Sequence, residues 1–244
     1  AALLMRRYMH EHNVDLSQFE GFSVNAHRNG KLSRFAMYRN TLREGAFAKA
    51  PMVSDPVSLF DGAPDGDGAA AVVLVSSDVA QDLVPQPITI SGSSVATDRL
   101  MLQERDDILS LNAIQESAKQ ALDQAGISID AIGAMELHDA YTILTALTFE
   151  SLGLSDKGQG WNWANENGQE ISLSGKLPIS TFGGLKSRGN PAGATGIYQA
   201  VEAVMQLRGE GGDNQLENVK DILIQNLGGL ASTAVTHILS TSKS

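Results

Sequence analysis

The sequence contains no cysteine among its 244 residues. That absence excludes disulfide bonds, and it also excludes a thiol nucleophile or a thiolate metal ligand supplied by these residues. The five histidines are scattered, so no pair of them has the spacing expected of a structural zinc site. Any covalent thiol chemistry therefore needs a cysteine from another segment or another chain.

Long hydrophobic runs and an excess of basic residues are also absent. No apolar run approaches the about 18–20 residues that a membrane helix needs, and the apolar stretch 1–4 is too short for a signal peptide. Lys and Arg number 18 against 28 Asp and Glu, which gives a net charge of −10. We therefore expect a soluble, cytoplasmic protein that binds neither a membrane nor nucleic acid.

Hydrophobic residues make up 42% of the chain, enough to bury a core in one or two domains. Two nearby prolines, Pro85 and Pro87, mark the predicted boundary between a unit 1–85 and a unit 86–244. The first unit is predicted to hold an opening helix near Leu3, a capping box that begins at Ser17, and a buried strand at 69–75. The second is predicted to hold a helix ending at Gly126, with strands at 88–92, 132–137, 221–224 and 234–239.

The most informative stretch is the segment 183–196, which reads GGLKSRGNPAGATG and contains five glycines and a proline. Glycine reaches positive φ and lets backbone or ligand approach closely. After Thr195 the apolar residues recur at helical spacing, which predicts a helix that begins there. The free N–H groups of a helix amino terminus suit an anion or a developing oxyanion.

A phosphate-binding loop does not fit this segment, because it has no Gly-Lys-Ser or Gly-Lys-Thr at the helix start. Position by position, the segment resembles the Gly-Gly-Leu-x-x-x-Gly-His-Pro-x-Gly-Ala-Thr-Gly signature of thiolases. One position departs from it: Asn190 stands where that family has histidine. Lys186 and Arg188 lie within it, and we expect a solvated surface for both rather than contact with a coenzyme A phosphate.

Three further segments resemble the same family in the same order along the chain. Residues 135–141 (MELHDAY) are similar to the Glu-x-His-Asp-Ala-Phe motif of sterol-carrier-protein-type and archaeal-type thiolases. Residues 225–231 (QNLGGLA) are similar to their final Gly-rich turn, and residues 67–74 to the strand that closes the amino-terminal half. The resemblance implies an α/β fold with αβαβα layers. This chain then supplies the end of the amino-terminal half and one complete carboxy-terminal half.

The resemblance also implies roles for individual residues. His138 helps to hold an oxyanion, Asn190 donates to it without activating a thiol, and the backbone N–H of Gly228 belongs to a second oxyanion hole. Tyr141 is a possible general acid, although packing at the start of a helix is the commoner role. The substrate-binding residues that the resemblance adds to Tyr141 are the loop glycines Gly183, Gly184 and Gly193. The two thiols that move protons in thiolases are missing, since Asn226 and Ala140 occupy their positions.

Three functions remain open on this basis. The first is acyl transfer with carbon–carbon bond formation or cleavage on a coenzyme A thioester, with no permanently bound cofactor and no metal, and with the cysteine outside this chain. The second is a thiolase-like retro-aldolase that acts on β-hydroxyacyl-CoA with a small OB-fold, zinc-ribbon partner. The third is a non-catalytic subunit. Each implies a homo- or hetero-oligomer.

Overall fold

The computed structural model describes residues 1–241 and shows a mixed α/β fold. Its first part is mainly helical, with α1 (Ala2–His12) and α2 (Glu20–Leu32). α1 ends at Asn13, which adopts the left-handed conformation. The predicted capping box at Ser17 was wrong by two residues. Asp15 donates its backbone N–H to Gln18 Oε1 at 2.7 Å, and that contact starts a short turn, residues 16–19, ahead of α2.

The remaining elements of the first part are short. They are β1 (Met52–Ser54), β2 (Val57–Ser58) and α3 (Ser77–Leu83), and β1 pairs with β2 in a two-stranded sheet. The strand predicted at 69–75 was wrong. These residues have no regular structure and are mostly exposed, with Val73 at 88% and Leu74 at 72%. A β-branched run becomes a buried strand only where other strands flank it, and none pairs with this run within residues 1–241.

The second part is built on a four-stranded sheet with the order β3-β6-β5-β4. Its elements along the chain are β3 (Ile88–Thr97), α4 (Asn112–Ala125), β4 (Ala134–Glu136), α5 (Thr142–Ser151), α6 (Asn165–Gly168), α7 (Thr195–Arg208), β5 (Asp221–Gly228) and β6 (Thr233–Thr241). β6 runs antiparallel to both its neighbours, and β4 runs parallel to β5. All four strands predicted for this part are present, and α4 ends at Gly126 with φ 67° as predicted.

Helices cover both faces of this sheet, and the alternation of side chains along β5 shows which helix covers which face. Ile222 and Ile224 pack with Ala203 of α7. Leu223, between them, points to the other face and belongs to the core that includes Ile114 of α4. The centre of the sheet is therefore buried on both sides, which explains why β5 reads as an apolar run. No helix within residues 1–241 is long and apolar enough to cross a membrane.

Candidate functional site

The carboxyl ends of β4 and β5 lie at one edge of the sheet, because the two strands are parallel and pair Glu136 with Ile224. His138 follows β4 by two residues, and Gly228 ends β5. The amino terminus of α7 lies at the same edge, since a Cβ on Gly196 would lie 3.7 Å from Cγ of Asn226. We call this region the strand-end cleft, defined by His138, Asn190, Asn226 and Gly228.

A short extended segment, residues 62–66, joins the two halves of this cleft. Ala63 donates its N–H to the carbonyl of Ala140 at 2.8 Å, and Asn190 donates its N–H to the carbonyl of Pro64 at 2.9 Å. The loop after β4 and the loop before α7 therefore pair with neighbouring residues of one segment. That pairing brings the backbone of Ala140, two residues after His138, close to the backbone of Asn190. Convergence of the side chains with Gly228 stays a prediction.

His138 follows β4 without regular secondary structure, and α5 begins at Thr142 rather than near Asp139 as predicted. Its side chain is partly buried, and its Nδ1 has no hydrogen-bond partner among the residues the structure describes. Burial lowers the pKa of His138 from its usual 6.5 to about 4. The imidazole is therefore neutral at pH 7, which suits a hydrogen-bonding group or a proton acceptor.

The oxygen and the nitrogen of the Asn190 side-chain amide differ in their hydrogen bonding. Its Oδ1 accepts hydrogen bonds from the backbone N–H of Ala192 and from Thr195 Oγ1, both at 3.2 Å. Those contacts fold the turn between Pro191 and α7, as an asparagine side chain commonly does beside its own backbone. Nδ2 has no acceptor within residues 1–241, and the side chain is only partly buried. The Nδ2 group of Asn190 is therefore a hydrogen-bond donor that is free for a ligand.

Gly228 and Gly193 are exposed, and a Cβ on Gly193 would meet no atom within 4 Å. Gly228 lies in register with Thr233 at the end of its strand, and its carbonyl accepts from Ser232 Oγ at 3.2 Å. Tyr141 is partly buried and packs against Gly62, which agrees with a packing role. Donation by the Gly228 N–H to an oxyanion and substrate contact by Gly193 stay predictions.

Gly183 and Gly184 are buried against protein rather than open to the cleft. Both have positive φ, 104° and 55°, at the start of a π-helical turn over residues 184–188. A Cβ on Gly183 would lie 2.8 Å from the Cα of Gly30 in α2, and one on Gly184 would collide with the carboxylate of Asp139. The close approach lets Asp139 Oδ1 accept from the Leu185 N–H at 2.7 Å. The structure thus gives both glycines a packing role, and their contact with substrate stays a prediction.

The prediction that Lys186 and Arg188 lie on a solvated surface was wrong, because each is only 4% exposed. Lys186 Nζ donates to the carbonyl of Gly62 at 2.7 Å and so holds the segment that joins the cleft. Burial lowers the pKa of Lys186 to about 8. Arg188 Nε lies 2.6 Å from Glu202 Oε1 of α7. Both charges therefore brace the loop from inside the fold and are not placed to meet a phosphate.

Two buried carboxyl groups share the charge of Arg188. Burial raises the pKa of Glu202 to about 7, and burial together with the charge of Glu202 raises the pKa of Glu136 well above its usual value. Glu136 Oε1 accepts from the N–H and Oγ1 of Thr181 at 3.0 and 2.5 Å. Arg188 pairs directly with Glu202, and the raised pKa of Glu136 reflects its burial beside that second carboxyl.

Sequence reasoning missed the polar residues that α7 buries. Gln199, Glu202 and Gln206 are at most 5% exposed and follow one another at i, i+3 and i+7. That spacing is the signal: three polar residues share a helix face with Ala203, which packs on the sheet. Buried polar side chains need hydrogen-bond partners. The spacing could therefore have indicated that this face of α7 holds neighbouring strands or loops in place through hydrogen bonds.

The class of protein is an α/β fold with a mixed four-stranded sheet that has helices on both faces. The thiolase C-terminal domain-like family matches residues 94–241. The chain therefore belongs to the thiolase family.

Relatives of known sequence agree with that assignment. The acetyl-CoA acetyltransferase of Methanothermobacter thermautotrophicus is 36% identical over 239 residues, which are 98% of this chain and 62% of that protein. Human sterol carrier protein 2 is 28% identical over 95% of this chain and 43% of its own length. The chain thus spans less than two thirds of these relatives.

Two solved structures share the fold. The Ltp2-ChsH2(DUF35) aldolase has a TM-score of 0.88 at 23% identity, covering all of this chain and 63% of that one. A monomeric SCP2-thiolase-like protein type 1 from Mycobacterium smegmatis has a TM-score of 0.73 at 17% identity, covering all of this chain and 51% of its own. At these identities the likeness concerns the fold alone.

Proposed function

We propose that this chain is the part of a thiolase-family enzyme that polarises the carbonyl of an acyl-CoA thioester during carbon–carbon bond formation or cleavage. The observation that carries the proposal is the unpaired amide donor of Asn190, which lies near the edge where β5 ends at Gly228 and where His138 follows the end of β4. Acyl transfer is supported by the name of the acetyl-CoA acetyltransferase relative. The proposal includes coenzyme A thioester as substrate, no permanently bound cofactor, and a cytoplasmic location.

The residues divide the work by chemistry. Asn190 Nδ2 and the Gly228 N–H donate to the oxygen on which charge develops, a type of contact worth about 2.7–4 kcal/mol in acyl-transfer enzymes. His138 is neutral near pH 7, and it is the group proposed to accept a proton from the substrate and return it. Tyr141 and Gly193 contribute to substrate binding. A cysteine from outside these residues carries the acyl group if the reaction is acyl transfer.

A second candidate, retro-aldol cleavage, is favoured by the amide at position 190. An amide donates a hydrogen bond but takes up no proton near neutral pH, so it does not activate a thiol. In the retro-aldol reaction His138 accepts the proton of the β-hydroxyl, and the Cα–Cβ bond breaks with its electron pair passing to the thioester enolate. The enolate oxygen is held by Asn190, and the proton returns to Cα. The products are an aldehyde or ketone and a shortened acyl-CoA.

Oligomer formation and a partner belong to this second candidate. The name of one fold neighbour joins Ltp2 to ChsH2(DUF35) in an aldolase, and a small OB-fold, zinc-ribbon protein is the corresponding partner proposed here. The division into units 1–85 and 86–244 is likewise a proposal. A subunit that retains the fold without catalysis is the third candidate.

The test uses the complete protein, with any residues that precede Ala1 and any small partner present. It is assayed with a β-ketoacyl-CoA plus free coenzyme A, and with a β-hydroxyacyl-CoA alone. Thiolysis of the first supports acyl transfer, and cleavage of the second supports the retro-aldolase. Binding of coenzyme A without turnover supports the non-catalytic subunit, whereas no binding of any thioester refutes the proposal.

His138→Ala is the informative variant in whichever assay succeeds. Loss of a group that moves a proton lowers the rate by about 10²–10⁴-fold. His10→Ala, on an exposed part of α1, is the matched control and leaves the rate unchanged. A His138→Ala enzyme with the wild-type rate would remove His138 from the mechanism.

A further inference from the structure

Gln199 of α7 ties together the ends of β4 and β5. Its side chain is 1% exposed, and its Nε2 donates to the carbonyl of Glu136 at 3.3 Å and to that of Gln225 at 3.2 Å. Its Oε1 accepts from Asn226 Nδ2 at 3.0 Å. One buried amide therefore contacts β4 two residues before His138 and β5 three residues before Gly228, and it also contacts the side chain of Asn226.

These contacts fix which way the Asn226 amide points. A backbone carbonyl only accepts hydrogen bonds, so the nitrogen of Gln199 must face the two carbonyls. The oxygen of Gln199 must then face Asn226, and Asn226 must present its nitrogen to it. Asn226 Oδ1 is left pointing elsewhere, and it has no donor within residues 1–241.

The free Oδ1 belongs to the strand-end cleft. Asn226 lies on the same face of β5 as Ile222 and Ile224, which pack on α7. Glu136 pairs with Ile224 on that face, so β4 ends two residues before the level of Asn226, and His138 follows in the loop after it. Asn226 is partly exposed, unlike the buried Gln199 that anchors it.

The cleft therefore carries two asparagines of opposite polarity. Asn190 uses its oxygen internally and offers a donor, whereas Asn226 uses its nitrogen internally and offers an acceptor. A β-hydroxyacyl thioester has a carbonyl that accepts and a hydroxyl that donates, so it matches both. A β-ketoacyl thioester presents acceptors at both oxygens and leaves Asn226 Oδ1 unpaired.

We propose that Asn226 Oδ1 accepts the β-hydroxyl of a β-hydroxyacyl-CoA and that Gln199 is the positioning residue that holds it in that orientation. This inference rests on the proposed binding of acyl-CoA at the strand-end cleft and names the substrate class. In the bound complex the hydroxyl donates its one proton to Asn226 Oδ1, which selects for it. If the Cα–Cβ bond is then cleaved, the hydroxyl turns that proton from Asn226 to His138, while Asn190 donates to the thioester oxygen of the same molecule.

The test compares two probes that differ only in the hydroxyl, β-hydroxybutyryl-CoA and butyryl-CoA, bound to the complete protein in calorimetry. Wild type should bind the hydroxylated probe about two- to tenfold more tightly, as expected for one neutral hydrogen bond. Asn226→Leu and Asn226→Ala should bind both probes equally, with the affinity for butyryl-CoA within about twofold of wild type. That retained affinity shows that the variants are folded.

Gln199→Leu adds a readout that a purely structural role would not move. Asn226 is still present but no longer held, so the preference for the hydroxylated probe should fall while butyryl-CoA still binds. An unchanged preference in either Asn226 variant overturns the inference. Equal binding of both probes by wild type also overturns it and leaves acyl-CoA binding intact. Binding of neither probe refutes the proposed function, and the inference falls with it.

Discussion

Residues 66–75 and residues 183–196 are both rich in glycine and small residues, and both resemble segments of the same family. In the second stretch, the turn 184–188 is buried, including the charged side chains of Lys186 and Arg188. The first is extended, and its valine and leucine side chains face solvent, with Val73 88% exposed. The turn that carries the charged side chains is thus buried, whereas the apolar side chains of residues 72–75 are exposed to solvent.

At these two places, burial depends on whether a residue has a hydrogen-bonding or ion-pairing neighbour. Arg188 has Glu202 at 2.6 Å, and Lys186 has the carbonyl of Gly62 at 2.7 Å, so each buried charge has a polar neighbour. Residues 69–75 have no neighbouring strand within residues 1–241 to complete their backbone hydrogen bonds. Four substitutions test how strongly burial depends on such partners.

The largest effect is expected at the buried ion pair. Glu202→Ala leaves Arg188 buried without its carboxylate, which should lower the free energy of unfolding by about 3–5 kcal/mol. Urea unfolding at pH 8 measures it, above the pKa of about 7 for Glu202. The control is Glu11→Ala, which removes the exposed i,i+4 pair with Arg7 and should cost about 0.3–0.5 kcal/mol. Equal losses would show that Arg188 is not held by Glu202.

The next effect concerns the buried turn. Gly184→Ala places a Cβ against the Asp139 carboxylate at a φ of 55°, and the free energy of unfolding should fall by about 1–3 kcal/mol. Gly193→Ala, in the open part of the same stretch, should change it by less than about 0.5 kcal/mol. Thermal and urea unfolding of both variants check the contrast. A neutral Gly184→Ala would mean that the turn is looser than its contacts indicate.

A pH effect of similar or smaller size is expected at His138. Its pKa is about 4 in the folded state and 6.5 when exposed, so above pH 6.5 it is neutral in both states and contributes nothing. As the pH falls from 6.5 towards 4, the unfolded chain takes up the proton first, and stability is lost. Wild type should therefore lose about 1–2 kcal/mol more than His138→Gln between pH 8 and pH 5.

The control for this pH effect is His10→Gln, at an exposed position of α1, which should lose the same stability as wild type over that range. Unfolding by urea at both pH values gives the two differences. Identical pH dependence in wild type and His138→Gln would contradict the buried, neutral imidazole.

The smallest effect belongs to the exposed stretch. Val73→Ser should change the free energy of unfolding by less than about 0.5 kcal/mol, because the side chain is 88% exposed. Ile222→Val, which removes one methyl group from a strand residue buried on the α7 face, should cost about 0.5–1.5 kcal/mol. A Val73→Ser loss as large as that of Ile222→Val would show that residues 69–75 are packed after all.

Sequence reasoning predicted the secondary structure of the second part well. The four strands, α4 and α7 follow from apolar periodicity and from end signals such as Gly126, which are local properties. The position of His138 just beyond β4 followed from its motif. The buried strand at 69–75 failed because composition gives propensity but does not supply a neighbouring strand.

The family and the order of the motifs can be read from the sequence alone. So can the residue types available at the cleft, including the amide of Asn190 and the absence of any thiol. Which atoms of those residues lack a hydrogen-bond partner within the protein depends on the tertiary structure. Asn190 and Asn226 are the same residue type, yet one offers a donor and the other an acceptor, because their anchors differ. Those anchors include Gln199, which is 27 positions from Asn226 along the chain. A hydrogen bond to a distant residue satisfies one end of the Asn226 amide, and local hydrogen bonds within the folded turn satisfy one end of the Asn190 amide, which leaves the other end of each for a ligand.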